Sequence, residues 1–407
     1  MKYIENSLKR LTRKISSPVI IALCLPIVLF IRLIKPWYHV RFGFFFGDRI
    51  GHLIFDVEYY LGERKLGAQP SNTHDFFFFE RKSANDFVDK LCRRQLKVHS
   101  IVRYFYHANN LFPNNREYQV LPQRLRNRSR DTIGILSGTS THLSLLRSEE
   151  NLGRKHLETL GYTETDKHVC LIVRDKAYLE HTQPARDDSY QDYRNSDIST
   201  FQEAAEALAE RGYWVFRMGK IVEKPFVTSH PRIIDYASSI WRSDFFDIWL
   251  MAHCHFCVTT SLGLDMVADV FRKPNCMVNL TPIFHLKSWT ESITVPKHLF
   301  WKEPINTHLT IEEYFGLYSN GRISLSAEDY ANLGVQIVDL TPDEIKEAVL
   351  EMESRLSGSW IMEREDVLLQ KRFWDIFSDW DGYDNFHGEV HDGVSIGADF
   401  LRKRNKD

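Results

Sequence analysis

HVCLIVRDK, residues 168–176, is the stretch whose reading decides the fold. Seven residues, His168–Arg174, read as a strand: an apolar run closing on Arg174 and Asp175, as a strand buried on both faces does where it leaves a sheet. Working outward, Asp197 is placed to cap a helix over Ile198–Arg211, and Gly212 stops it. Tyr213–Met218 and Arg232–Tyr236 read as strands, and Ser243–Ala252 as a helix. His255–Thr260, Gly263–Phe271 and Asn275–Leu280 continue as strand, helix and strand, ended by Pro282. This alternation implies a Rossmann-like domain over residues 163–340. Thr341-Pro342-Asp343-Glu344 starts a helix to about Leu356 and opens a C-terminal helical segment, 341–407, expected to pack back on the domains.

Toward the N-terminus, Val40–Phe46 reads as a strand and Gly47-Asp48-Arg49-Ile50-Gly51-His52 as a turn. A helix follows to Lys65, with Leu53, Ile54, Val57, Tyr60 and Leu61 on its inner face. The run Phe76–Phe79, a helix over Ala84–Arg94 and a short strand at Leu96–His99 complete a first α/β domain, assigned to 39–162. Its boundary is set near Gly161–Asp166, beyond a stretch of Pro, Asn and Arg clusters.

Residues 1–38 differ from the rest. Lys2, Lys9, Arg10, Arg13 and Lys14 precede 17 uncharged residues, Ile15–Ile31, and Arg32, Lys35, Trp37 and Tyr38 follow. Seventeen residues are short for a crossing of roughly 30 Å. The expectation is a monotopic or re-entrant membrane anchor with a cytoplasmic head, on the cytoplasmic face of an inner membrane; a buried core helix is the alternative. With 52 basic and 54 acidic residues the net charge is −2, and nothing points to nucleic acid. Six cysteines give no disulfide framework, and Cys254 and Cys257 lack a second ligand pair for zinc, so no metal is expected.

Ligands of open α/β sheets bind beyond the carboxyl ends of the strands. Arg174, Asp175, Arg217, Gly219, Asp235 and Tyr236 fall there, with Ser243 and Asp244 at a helix start. Thr259, Thr260, Ser261 and Gly263 link a strand to a helix. Hydroxyls and backbone N–H groups at such a turn hold phosphate, and a guanidinium binds two of its oxygens at once. Each placement alone is more often a cap or a surface ion pair; their recurrence on successive strands favours a nucleotide site.

The segments VCLIVRDKAYL (169–179), YRNSDI (193–198), GYWVFRMG (212–219), IDYA (234–237) and SDFFDI (243–248) resemble a family of bacterial glycosyltransferases associated with surface-polysaccharide loci. RIGH (49–52) and IGADFL (396–401) extend the resemblance over most of the chain. The resemblance implies a GT-B-like architecture: two Rossmann-like domains facing across a cleft, the second holding a nucleotide-sugar co-substrate without other cofactors or a metal. Ser261-Leu262-Gly263 followed by Lys273-Pro274 is also similar to the donor-side helix of heptosyltransferase-type enzymes, which carry His where this chain has Met266. The implied reaction moves a sugar to a surface-polysaccharide or lipid-linked glycan. His52 is the first candidate for the base that activates the acceptor hydroxyl, because histidine titrates near neutral pH; Asp48 and Glu58 are the others. Two other classes remain open at this point: a non-catalytic nucleotide- or glycan-binding protein on the same scaffold, and a structural assembly protein.

Overall fold

The computed structural model describes residues 2–185, 187–304, 307–322 and 324–405, without the side chains of residues 2–17. The chain forms two compact units, Met1–Ser129 and Arg130–Asp407.

In the first unit β1 (His39–Phe45) is central, with β2 (Thr73–Phe79) and β3 (Gln119–Val120) parallel on either side. Phe42 and Phe78 are buried with Val40 and Val102 on one face of this sheet. The helix Ile50–Leu66 ends at Gly67, whose φ of 76° is the left-handed cap glycine favours. Asn85 starts the helix Asp86–Gln95 by accepting from the N–H groups of Phe87 and Val88. Two expectations are corrected here. Leu96–His99 is not a strand but a single bridge, Phe77 to Val98. With three strands among the described residues, this unit is smaller than the Rossmann-like domain expected for 39–162.

The second unit is built on seven parallel strands. They are β4 (His168–Ile172), β5 (Trp214–Arg217), β6 (Ile233–Ile234), β7 (Phe256–Thr259), β8 (Asn275–Leu280) and β9 (Ser292–Pro296), joined beyond three others by β13. Those three, β10 (His298–Trp301), β11 (Thr307–His308) and β12 (Val335–Val338), make a small antiparallel sheet, after which β13 (Val394–Ile396) returns. The order is β13-β9-β8-β7-β4-β5-β6. Successive strands step one way from β4 to β6, then restart on the other side of β4 with β7, so the order reverses between β4 and β7. Every residue of β4 and β7 is buried, as strands covered by helices on both faces must be. The Rossmann-like expectation holds for this unit, with β9 and β13 as additions the sequence pattern did not show.

The division falls at Ser129 rather than near residue 162, because 130–162 is tied to the second unit. Arg130 donates to the carbonyls of Leu286 and Phe386. The helix Arg147–Glu158 lies so close to Trp249 that a Cβ on Gly153 would sit 2.1 Å from its ring. Likewise 341–407 belongs to this unit: Thr341 caps the helix Pro342–Ser357 as expected, and the Ala398 N–H donates to Glu351 at 2.8 Å. No helix of the described residues is long and apolar enough to cross a membrane.

Candidate functional site

The reversal of strand order leaves a crevice between the carboxyl ends of β4 and β7, where open α/β sheets place their ligands. The two ends are cross-linked: the Arg174 N–H donates to Thr260 Oγ1 at 2.8 Å, and the Thr260 N–H to the Ile172 carbonyl at 3.2 Å. Ser261 follows with φ 64°, a left-handed conformation that is costly without glycine and must be held in place. Arg194 reaches the same turn, donating from Nη2 to the Ser261 carbonyl at 3.2 Å. Burial and the neighbouring Arg194 push the Arg174 guanidinium down to about 10, and burial also lowers Arg194. Neither guanidinium is ion-paired to a carboxylate among the described residues. Lys297, whose pKa burial also lowers, adds positive charge nearby, although Asp339 holds it at 2.5 Å. Like charges are thus gathered and partly desolvated; Asp188 and Asp192 act on Arg174 and Asp265 on Arg194 without an ion pair, which leaves both guanidiniums able to bond an anion.

What holds the turn lies behind it. Thr259 Oγ1 accepts from the Ser261 N–H at 3.1 Å and donates to Asp265 at 2.8 Å; the same carboxylate oxygen accepts from the Leu262 N–H at 2.9 Å. Lys287, 3% exposed, sits 2.9 Å from both Asp265 and Asp269. The two carboxylates raise the lysine's pKa against the effect of burial, so Lys287 stays charged, while burial raises Asp269. The helix behind the turn is Asp265–Val270, six residues opening on an acid, instead of the expected Gly263–Phe271. Its dipole therefore offers an anion little, and Gly263 is an exposed residue rather than the site of positive φ.

Beside the crevice lies a cavity of about 270 Å³ lined by Val173, Asp175, Asn195, Ser196, Glu223 and Asp339, among others. Asn195 Oδ1 is buried there without a hydrogen-bond partner. Such a lining accepts hydrogen bonds and suits hydroxyl groups rather than phosphate.

The remaining expected donor residues serve the fold. Arg217 is 1% exposed and donates to Asp235 and to the Lys224 carbonyl, both at 3.1 Å, so its charge is already neutralised. Asp235 uses its other oxygen on the Phe226 N–H. Tyr236 is fully buried and donates to Asp247 at 2.7 Å. Ser243 caps the helix Asp244–His253, Asp244 pairs with Lys220 and Arg242, and Gly219 lies where a Cβ would meet Val222 at 2.5 Å. Asp175 is bound by the N–H groups of Ala177 and Glu223. Sequence pattern does not mark Arg194, Asn195 and Lys297 as site residues; Arg194 and Asn195 stand in the YRNSDI segment, whose irregular chain carries no periodic signal.

In the first unit, Asp48 follows β1 and pairs with Arg81 at 2.6 Å while a quarter exposed. A Cβ on Gly47 would lie 2.4 Å from the Arg81 carbonyl, so the turn presenting Asp48 needs glycine. Glu58 is 1% exposed, inside the helix and away from solvent, which removes it as a base. His52 bonds Ser129 Oγ at 2.8 Å, and burial together with the Arg124 and Arg49 charges pushes it down to about 4. It does not titrate near neutral pH as expected, and so is a weak base.

Asp56 lies one turn further along the same helix, where nothing in the sequence pattern marks it. It is 1% exposed, with one carboxyl oxygen unpartnered, and burial pushes it up to about 7 despite bonds from Ser129 and the Arg124 N–H. Between pH 4 and 7 the native state keeps a proton that the unfolded chain has released. Its stabilising contribution is therefore full below pH 4 and falls as pH rises, by about 4 kcal/mol at pH 7. Asp56→Asn should abolish that fall. His52 and His168, pushed down to about 4, give the opposite slope over pH 4–6.5 but are common to both proteins. Urea unfolding at pH 5 and pH 8 should show the variant gaining on the parent by a few kcal/mol at the higher pH; parallel profiles would contradict a buried neutral acid.

Among the described residues no group of three or more His, Cys, Asp or Glu could hold a metal ion. No family model and no curated protein matches this sequence. Similar solved structures include several glycosyltransferases and a UDP-N-acetylglucosamine 2-epimerase. One is a glycosyl transferase of family 9 from Veillonella parvula (TM-score 0.43, 12% identity, 79% of this chain and 98% of that one). Another is the E. coli ADP-heptose LPS heptosyltransferase II (0.40, 9%, 78% and 100%). A third is the dodecameric iron-containing heptosyltransferase TibC in complex with ADP-D-β-D-heptose (0.37, 12%, 78% and 78%). A likeness this loose decides neither reaction nor substrate, and the functional reading rests on the chemistry of the site.

Proposed function

We propose that the protein is a glycosyltransferase that moves a sugar from a nucleotide-linked donor to a surface-polysaccharide or lipid-linked glycan. The observation that carries this reading is the closeness of the Arg174 and Arg194 guanidiniums, neither in an ion pair among the described residues, beside the Thr260–Ser261 turn, which the Arg174 backbone N–H and the Arg194 side chain both bond. Sugar transfer builds negative charge on the departing diphosphate, and fixed cations in a partly desolvated crevice stabilise it as it forms. In this reading the guanidiniums and the Ser261 turn hold the diphosphate, and the carboxylate-rich cavity takes ribose or sugar hydroxyls. Asp48 replaces His52 as the preferred base for the acceptor hydroxyl, being a quarter exposed and paired with Arg81. The positive charge a divalent metal would bring is supplied by the chain itself. Six free cysteines support a reducing compartment, hence the cytoplasmic face of a membrane.

A thermal-shift series with UDP-, GDP-, CMP- and ADP-linked sugars tests the reading. A donor at a hundred times its Kd adds ~2.7 kcal/mol, a rise of about 3 °C for a protein of this size. The matching donor should give that rise and release its nucleotide when a glycan acceptor is added. No shift with any donor would contradict the proposal; a shift without release would support a binding protein instead.

A further inference from the structure

Over residues 18–33 the N-terminal helix Lys2–Leu33 presents apolar side chains on two faces, of which one is covered. On the inner face Cys24 and Val28 are buried against Ala108, with Tyr104, Phe105 and Phe112 around them. On the outer face Val19, Leu23, Ile27, Phe30 and Leu33 are 48–68% exposed, and Trp37 just beyond is 79% exposed. Steps of four, four, three and three residues put the first five on one stripe. The solvent side of a surface helix is normally polar, and a continuous apolar stripe of this length marks an interaction surface.

We infer that this stripe docks the protein in the plane of an anionic phospholipid leaflet, its outer side chains at acyl-chain level and its inner face fixed to the helix Val102–Asn109. The inference rests on the membrane location proposed above and adds the surface and lipid chemistry. Two observations select a bilayer over a second copy of the chain. No Asp or Glu occurs from Asn6 to Gly47, while Lys9, Arg10, Arg13 and Lys14 stand directly ahead of the stripe. Pairing two such stripes would set like charges together, whereas anionic headgroups neutralise them. Trp37 lies at the end of the stripe, where an indole suits the headgroup layer. A helix with an exposed apolar stripe and basic residues ahead of it suits the interface.

The test is flotation of the full chain with vesicles of phosphatidylethanolamine and phosphatidylglycerol, against vesicles of phosphatidylcholine alone. The parent should float with the anionic vesicles. Leu23→Asp with Phe30→Asp, both exposed and so compatible with folding, should weaken partitioning at least about tenfold. Circular dichroism and nucleoside diphosphate binding should be unchanged. Equal flotation of parent and variant would overturn the inference. So would a parent that ignores vesicles but is a dimer in light scattering, made monomeric by the substitutions. Loss of nucleotide binding in the parent would instead strike the transferase reading and leave the lipid surface standing.

Discussion

Arg174→Ala should weaken nucleoside diphosphate binding by about 2–4 kcal/mol, roughly thirty- to a thousandfold, in titration calorimetry. The guanidinium stands at the end of β4 beside Arg194, with its charge unspent on any carboxylate of the described residues. An anion gains charge-assisted bonds from both arginines and relieves their mutual repulsion, so removing one loses more than a neutral hydrogen bond. Arg194→Ala should show a similar loss. Arg217→Ala should behave differently: its partner Asp235 would be left without a counter-charge, so the melting temperature should fall while any retained affinity stays near that of the parent. A weaker effect at Arg174 than at Arg217 on affinity would move the site away from the crevice.

Lys287→Ala should destabilise the protein by about 3–5 kcal/mol, because it strands Asp265 and Asp269 in the interior with no cation between them. At this size that is a fall in melting temperature of about 4–6 °C. Asp265 also receives Thr259 Oγ1 and the Leu262 N–H, so nucleotide affinity should fall with stability as the Ser261 turn relaxes. Combining Lys287→Met with Asp265→Asn and Asp269→Asn removes all three charges and should recover much of the loss. Scanning calorimetry of the single and triple variants separates a buried charge effect from simple loss of packing.

The same triad shows where sequence reading reaches its limit. β4 and the 275–280 strand were legible because strands buried on both faces are unbroken apolar runs, and Arg174 was legible as the first cation after one. Arg217 follows the same pattern, yet Asp235, 18 positions on, turns inward and neutralises it. Nothing local distinguishes the two arginines. Lys287 and Lys297 depend on which strand neighbours which, and β9 carried no recognised signal. Arg194 arrives on a short helical turn, Ser189–Arg194, with no periodicity to mark a face. In the first unit, His52 and Asp56 share one side of a helix, but their pKa values move to about 4 and about 7 chiefly through burial, which spacing does not report. Segment 130–162 fell in the wrong unit because Gly153 against Trp249 is a close approach between distant parts of the chain.

The most direct test is a diffraction structure of the protein soaked with a nucleoside diphosphate. The account predicts the diphosphate between the ends of β4 and β7, with its oxygens in hydrogen-bond reach of Arg174, Arg194 and the Ser261 turn. Density at the β5 and β6 ends beside Arg217, or none in the crevice at saturating ligand, would contradict it.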